Sequence, residues 1–281
     1  MNQMFDAALV SDNQLQRSHG TIRLAFAKKG DRNFIAERYA GAPSRILVPS
    51  NHLSVPEAVL ANTSGGIAGG DTLKFDVLVA SETEALVTGQ AAEKVYRSID
   101  VPASIRTRIE VEDEGVLEYL PQETILFNGA KLDRQVDISL GLRARLLLSE
   151  MFVLGRWAMG EDFTIGTLTD RWKVDVAGRP IWRESLRLEG GLPSLNSPIG
   201  FAGARALATI FYVGSNAAEI LESVREALGT LSGATLVRGM LVIRMMGTEA
   251  GALKGQLANI ISNIRAIALN RPSEVPRVWR C

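Results

Sequence analysis

A glycine-rich segment, NTSGGIAGGD at residues 62–71, is the part of the sequence most suggestive of a site. Four glycines fall within six residues, and Asp71 closes the segment. Glycine loses more backbone entropy on folding than other residues, so such a run indicates positive φ angles, a tight turn or a close backbone approach. The segment could be a plain loop between strands, or a loop whose backbone builds a site or a passage with Asp71 at its polar end. A phosphate-binding loop is excluded, because no Gly-Lys-Ser/Thr ending is present and a strand, not a helix, comes next.

Three glutamates are the other candidates for chemistry, two of them among apolar residues and the third, Glu161, in a turn where it could be a solvated loop acid. Glu150 lies inside the apolar run LLLSEMFVLG, Glu123 lies in LPQETILF, and Glu161 lies in the turn GRWAMGEDF. A carboxylate among apolar residues must be paired, hydrogen-bonded, hydrated or protonated. Glu150 could therefore be the ion-pair partner of Arg145 or Arg156, or it could act with Glu161 as the acid/base pair of an enzyme.

Histidine, cysteine and serine are poorly placed for a transition-metal cage or for nucleophilic catalysis. His19 and His52 are isolated, and Cys281 is the single cysteine. Ser64 lacks the Gly-x-Ser-x-Gly frame of a serine nucleophile. A metal ion would need oxygen ligands from carboxylates, carbonyls and water, which hold late first-row metals weakly. Such a site suits brief binding and delivery.

The composition predicts a cytoplasmic globular protein. Lys plus Arg and Asp plus Glu number 31 each among 281 residues, so the chain gives no reason to expect nucleic acid or an anionic membrane as a partner. One cysteine excludes an intrachain disulfide and fits a reducing compartment. The N-terminus lacks a basic-then-apolar signal pattern, and no apolar run reaches the roughly 18–20 residues of a membrane helix.

Alternating apolar residues predict that residues 20–190 are almost entirely β-strand. The stretch TIRLAFA at residues 21–27 alternates strictly, and residues 34–39 form its return strand in a hairpin. About a dozen such strands follow one another at a spacing of roughly 10 residues, with no helical period of useful length among them. The pattern is typical of a sandwich, a barrel or stacked β-layers, and βαβ units are unexpected because the helices are missing.

The pattern changes after Pro198. Residues 206–213 and 235–246 read as strands, and residues 217–228 read as a helix capped by Ser215 or Asn216. A second helix is predicted from residue 248 to about residue 270, with a wide apolar stripe. The sequence therefore predicts a β-rich body at residues 20–200 and an α+β appendage at residues 201–281, packed as one continuous unit.

Five ordered motifs resemble those of one known family. SGGIAGGD is similar to a GGxxGGD motif, QAAEKVYRS to (Q/A)-A-x-K-x-Y-R-S, and LEYLPQETILFNGA to LEWLPQETIxFxGA. EMFVLGRWAMGE is similar to E-x-x-x-x-GR-x-x-x-GE, and RPSEVPRVWRC to R-P-x-x-x-P-R-x-W. On these motifs the chain resembles the urease accessory protein UreD (UreH) family from about residue 20 to its C-terminus. Asn128 departs from the family pattern, in which an acid is common.

The resemblance implies a mainly β, β-helix-like fold of stacked β-layers with a smaller C-terminal α+β portion. It implies a non-enzymatic chaperone that, with UreF and the GTPase UreG, helps insert nickel into the urease apoprotein, while UreE supplies the nickel. GTP then belongs to UreG, and this chain needs no tightly bound cofactor, only transient Ni(II) in an internal water-filled passage. A scaffold that merely holds the complex together is the alternative, and a carboxylate-dependent enzyme is a further one.

The resemblance also carries roles to individual residues. The motif acids would line the passage or briefly hold Ni(II): Asp71, Glu123, Glu150 and Glu161. The glycines of the first motif would shape its wall: Gly65, Gly66, Gly69 and Gly70. Structural partners of those acids would be Lys94, Tyr96, Arg97 and Arg156.

Overall fold

The computed structural model describes residues 17–50, 55–191 and 195–280, so His52, Cys281 and most of the N-terminal leader lie outside the described residues. The helices there are α1 (Leu221–Glu226) and α2 (Ala250–Leu269), with short 3-10 turns at Trp157–Met159 and Arg277–Arg280. The strands are β1 (His19–Lys29), β2 (Arg32–Gly41), β3 (Ser44–Leu47), β4 (Glu57–Asn62), β5 (Thr72–Val79), β6 (Glu84–Gly89), β7 (Glu93–Val95), β8 (Ala103–Val111), β9 (Val116–Leu120), β10 (Thr124–Leu126), β11 (Lys131–Leu140), β12 (Arg145–Leu154), β13 (Thr167–Val176), β14 (Arg179–Glu189), β15 (Ala206–Val213), β16 (Ser232–Val237) and β17 (Met240–Gly247).

The strands form two stacked sheets. Sheet 1 has the order β14-β13-β11-β8-β5-β1-β2, and sheet 2 has the order β16-β17-β15-β12-β9-β6-β4-β3. From β4 to β13 the chain alternates between the two sheets, and each passage through both sheets forms one coil of a solenoid. Within each sheet, strands of successive coils pair in parallel. A strand in the opposite sheet thus provides the return path that a helix provides in a βαβ unit. This β-solenoid-like arrangement, with 52% strand and 13% helix, confirms the predicted fold class.

A short third side closes each coil. Val95 of β7 pairs in parallel with Leu126 of β10, which pairs in turn with Leu154 of β12. Ile67, in the middle of the glycine-rich segment, forms an isolated parallel bridge with Val95. All four side chains are buried and stack as one column inside the coils. The glycine-rich segment is therefore one rung of this third side.

Two apolar layers flank sheet 2. Its inner face packs against sheet 1 through residues such as Leu117 and Leu146. Its outer face packs against the stripe of α2, which is buried at Leu253, Leu257 and Ile261. Because β15 pairs with β12, sheet 2 continues across residue 200, where the predicted body meets the predicted appendage. No described helix has the length and apolar character needed to cross a membrane.

Three details of the C-terminal region differ from the prediction or refine it. The first predicted helix is shorter in the structure, where it is α1, because the Asn216 side chain does not cap it. The Asn216 side chain instead accepts a hydrogen bond from the Tyr212 hydroxyl (2.6 Å) and donates one to the Ala268 carbonyl (3.2 Å). The strand predicted at residues 235–246 is a hairpin of β16 and β17 that turns at Arg238, whose φ is 49°. The second helix matches its prediction and ends at Asn270 in a left-handed conformation.

Candidate functional site

A cavity of about 310 Å³ lies between the two sheets beside the third side of the coils. Exposed residues at its outer end include Gln90, Ala91 and Lys94. Arg134 and Glu150, both buried, lie at its inner end. The cavity therefore leads from the surface near the glycine-rich segment into the interior of the solenoid.

A buried cluster of three charged side chains forms the inner end. Arg134 Nε lies 2.8 Å from Asp170 Oδ1 and Arg134 Nη2 lies 2.9 Å from Asp170 Oδ2, while Nη1 donates to Glu150 Oε2. The guanidinium carbon also lies 4.7 Å from the ring centre of Phe152 and 5.1 Å from that of Trp172. One cation thus faces two carboxylates, and in the ionised state this leaves one formal negative charge.

Strand register assembles this cluster. Arg134 on β11 lies directly opposite Asp170 on β13, so the inward faces of neighbouring coils bring the two side chains together. Glu150 reaches them from β12, in the other sheet. The predicted partners of Glu150 were wrong: Arg134 pairs with it, not Arg145 or Arg156.

Glu93 near the outer end is a site residue that the sequence analysis missed. Burial raises its pKa to about 7, while hydrogen bonds from Asn62 and from the Lys94 backbone, and the Lys94 charge, oppose the rise. The Asn62 amide donates to both carboxylate oxygens, at 3.1 Å and 3.3 Å. One signal could have revealed it, since Glu93 lies two residues before the apolar Val95 and a strand places the two on one face.

The rest of the lining is partly polar. Within the described part of the chain, Ser44 Oγ and Gln122 Oε1 are buried and have no hydrogen-bond partner. Both residues line the cavity. Buried polar groups beside a space of this size are normally satisfied by water. The lining therefore combines a mainly apolar wall with a few polar groups that water can satisfy.

The other three predicted acids lie outside the lining of this cavity. Asp71 is buried and accepts hydrogen bonds from the backbone N–H groups of Ser18 and Ala68, both at 2.8 Å. Glu123 lies 2.7 Å from Lys254 Nζ on α2. Asp71 thus stabilises the glycine-rich loop, and Glu123 ties α2 to the sheet. A role for either carboxylate in holding nickel stays a prediction.

Glu161 forms an ion pair at 2.6 Å with Arg156, as its predicted structural partner. The Arg156 hydrogen bond, helped by the N–H group of Asn128, holds the pKa of Glu161 below its usual value. Arg156 in turn lies over the ring of Phe127, 4.2 Å from its centre. No group of three or more His, Cys, Asp or Glu side chains suited to hold a metal ion occurs in residues 17–50, 55–191 and 195–280. A nickel role for Glu161 likewise stays a prediction.

Close backbone packing explains the glycines of the segment. Tyr96 donates a hydrogen bond of 2.8 Å to the Gly65 carbonyl, and Gly65 also lines the cavity. A Cβ on Gly69 would lie 2.5 Å from the Val101 carbonyl oxygen, and one on Gly70 would lie 2.9 Å from Arg17 Nε. The segment is therefore a rung packed against its neighbours, as the close-approach interpretation expects.

Replacing Gly66 by alanine is expected to lower the free energy of unfolding by about 2 kcal/mol or more. A Cβ there would lie 2.7 Å from the Tyr96 ring and 2.8 Å from the Lys94 carbonyl oxygen, at a φ of 155°. Chemical denaturation measures the change. Gly233→Ala is the matched control, because its Cβ would meet no atom within 4 Å. Equal stabilities of the two variants would contradict the packing argument.

Comparison with known proteins gives one consistent family. The family model described as "UreD urease accessory protein" matches residues 18–280. The chain is similar to the urease accessory protein UreD of Magnetococcus marinus, with 37% identity over 277 residues that cover 95% of this chain and 96% of the relative. It is 36% identical to UreD of Paracoccus denitrificans, covering 99% and 96% of the two chains, and 36% identical to UreD 1 of Brucella abortus, covering 96% and 99%.

Proposed function

The chain belongs to the UreD family of urease accessory proteins, and on that premise we propose that it is a maturation chaperone that delivers Ni(II) to the urease apoprotein. The protein is not itself the enzyme. It works in the cytoplasm in a complex with UreF and the GTPase UreG, and UreE supplies the nickel. GTP binding belongs to UreG, which fits the lack of a phosphate-binding loop in residues 62–71.

The internal cavity is the observation that supports a conduit role, in which Ni(II) passes through the protein. Its lining offers carboxylates at both ends, Glu93 outside and Glu150 inside, and it also includes Thr88 and Gln122, whose side chains carry a hydroxyl and an amide oxygen. Oxygen ligands of this kind bind a late first-row metal weakly. A series of weak ligands without a closed cage suits an ion that must move on, and Arg134 holds Glu150 and Asp170 in place.

A scaffold role is the second candidate, and a specific observation favours it. Asp71, Glu123 and Glu161 are all engaged in hydrogen bonds or ion pairs that stabilise the fold. The carboxylate-enzyme alternative has less support, because Glu161 pairs with Arg156 and does not line the cavity that holds Glu150.

Filling the outer end of the cavity tests the conduit against the scaffold. Ala91→Trp introduces a large side chain at an exposed lining position. We expect the variant to assemble with UreF, UreG and urease while the nickel content and activity of urease fall severalfold. Activation of apo-urease in cells that lack the wild-type chain, with nickel measured by elemental analysis, is the readout.

Ser139→Trp is the matched control, since Ser139 is exposed on β11 and does not line the cavity. It should activate urease as the wild type does. Full activation by Ala91→Trp would contradict the conduit and favour the scaffold. Full activation in cells that lack the chain altogether would contradict both roles.

A further inference from the structure

The inner end of the cavity between the two sheets is formed by Arg134, whose guanidinium is shared between two carboxylates. Arg134 and Glu150 belong to the cavity lining, whereas Asp170, their partner on β13, does not. All three residues are buried. An ion that enters the cavity therefore meets Glu150 and the guanidinium of Arg134 before it meets Asp170.

The carboxylate of Asp170 is fully engaged by the protein. Arg134 Nε and Nη2 donate to its two oxygens at 2.8 Å and 2.9 Å, and Trp172 Nε1 donates to Oδ2 at 2.7 Å. A bidentate pair of guanidinium and carboxylate is among the stronger hydrogen-bonded contacts in proteins. Both oxygens of Asp170 are therefore held by donors of this chain.

Glu150 differs from Asp170, because only one of its oxygens is engaged. Its Oε2 accepts a hydrogen bond from Arg134 Nη1. In the part of the chain that the structure describes, no group donates a hydrogen bond to the other oxygen, Oε1, which water can still reach. Because Glu150 lines the cavity, Oε1 is the carboxylate oxygen of this cluster that remains free for an ion.

The charge balance of the cluster disfavours retention of a divalent cation. Arg134 supplies one positive charge to the two carboxylates, so an arriving dication meets one net negative charge and is repelled by the adjacent guanidinium. Without Arg134, Glu150 and Asp170 would offer two negative charges and both carboxylates as ligands. Oxygen sites hold a divalent cation more tightly as the number of charged ligands rises.

We propose that Arg134 limits how long a divalent cation stays at the inner end of the cavity, by occupying the Glu150–Asp170 pair that would otherwise retain the ion. A passing cation binds weakly to Glu150 Oε1 and moves on, because the guanidinium holds the other oxygens. Arg134 is thus a positioning residue that acts through the two carboxylates. The inference rests on the proposed conduit.

Equilibrium dialysis of the isolated full chain against NiCl2 at pH 7, followed by elemental analysis, tests the proposal. Arg134→Met should bind Ni(II) at this site about tenfold more tightly than the wild type, or better. The triple variant Arg134→Met, Glu150→Gln, Asp170→Asn should lose the added ion, because it lacks both carboxylate charges. Arg171→Met removes an arginine from an ion pair on the outer face of the sheet and should bind as the wild type does.

Chemical denaturation with and without NiCl2 adds a measurement that a poorly stable variant still allows. A cation that binds the folded protein stabilises it, so NiCl2 should stabilise Arg134→Met more than the wild type or the triple variant. Arg134→Lys is the conservative variant, since it keeps the charge but lacks the planar fork that reaches both carboxylates. Its affinity for Ni(II) should lie between those of the wild type and Arg134→Met.

Equal Ni(II) affinity of the wild type, Arg134→Lys and Arg134→Met would overturn the proposal. Binding by the triple variant that matches Arg134→Met would also overturn it, because the ion would then lie elsewhere on the chain. If Arg134→Met stays unfolded in both conditions, wild-type affinity of Arg134→Lys is the result that overturns it. None of these measurements involves urease, so they can fail while loss of activation by Ala91→Trp still supports the conduit.

Discussion

Replacing Arg134 by methionine is expected to lower the free energy of unfolding by about 3–5 kcal/mol, because it leaves two buried carboxylates without their cation. Glu150 and Asp170 are 6% and 4% exposed, so both carboxylates are largely shielded from bulk water and depend on the guanidinium. The change also removes the stacking of the guanidinium on Phe152 and Trp172. Chemical denaturation at pH 7 measures the loss.

Two further variants separate the charge effect from simple loss of packing. Arg171→Met removes the neighbouring arginine, whose ion pair with Asp133 lies on the exposed face, and should cost no more than about 1 kcal/mol. The triple variant Arg134→Met, Glu150→Gln, Asp170→Asn removes both carboxylate charges and should recover much of the stability. A triple variant as unstable as Arg134→Met alone would show that packing, not charge, dominates the cluster.

Replacing Glu93 by glutamine is expected to stabilise the protein above pH 7 by about 2–3 kcal/mol. Burial raises the folded-state pKa of Glu93 from 4.5 to about 7. Between these two values the unfolded chain loses the proton while the folded protein keeps it. Stability is therefore lost as the pH rises from about 4.5 to about 7, and the full penalty persists above that range. Glutamine carries no charge and avoids the penalty.

Denaturation at a series of pH values from 4.5 to 8 tests this expectation. The two proteins should have similar stability near pH 4.5, and the difference should grow to its full size near pH 7. Glu110→Gln, at an exposed position on β8, is the matched control and should follow the wild-type profile. Parallel profiles for the wild type and Glu93→Gln would contradict the burial of an ionisable group at this position.

Local periodicity explains how much of the fold could be predicted. The strict alternation of residues 21–27 gives β1 with its apolar residues inward, as in the structure. The wide apolar stripe near the C-terminus gives α2, which buries Leu257, Ile260 and Ile264. These are properties of side chains a few residues apart, so the sequence predicts them directly. Parallel pairing could not be read the same way, because it joins strands of successive coils.

The hairpin at residues 232–247 shows where local pattern fails. Its turn has Arg238 in a left-handed conformation before Gly239, and an arginine gives no sign of positive φ. The apolar alternation runs on through the turn, so it predicted one continuous strand. The length of α1 was likewise set by a distant contact, since Asn216 bonds to Ala268 on α2.

The sequence itself determined the family motifs and the mainly β, stacked fold, and it identified Glu150 as a candidate site residue. Only the tertiary structure decided what Glu150 contacts and that Glu93 shares its cavity. Arg134 and Asp170 meet because β11 and β13 pair in register, and Glu150 reaches them from β12 in the facing sheet. That register is a collective property of the packed coils, whereas a motif or a side-chain period is a property of a few consecutive residues.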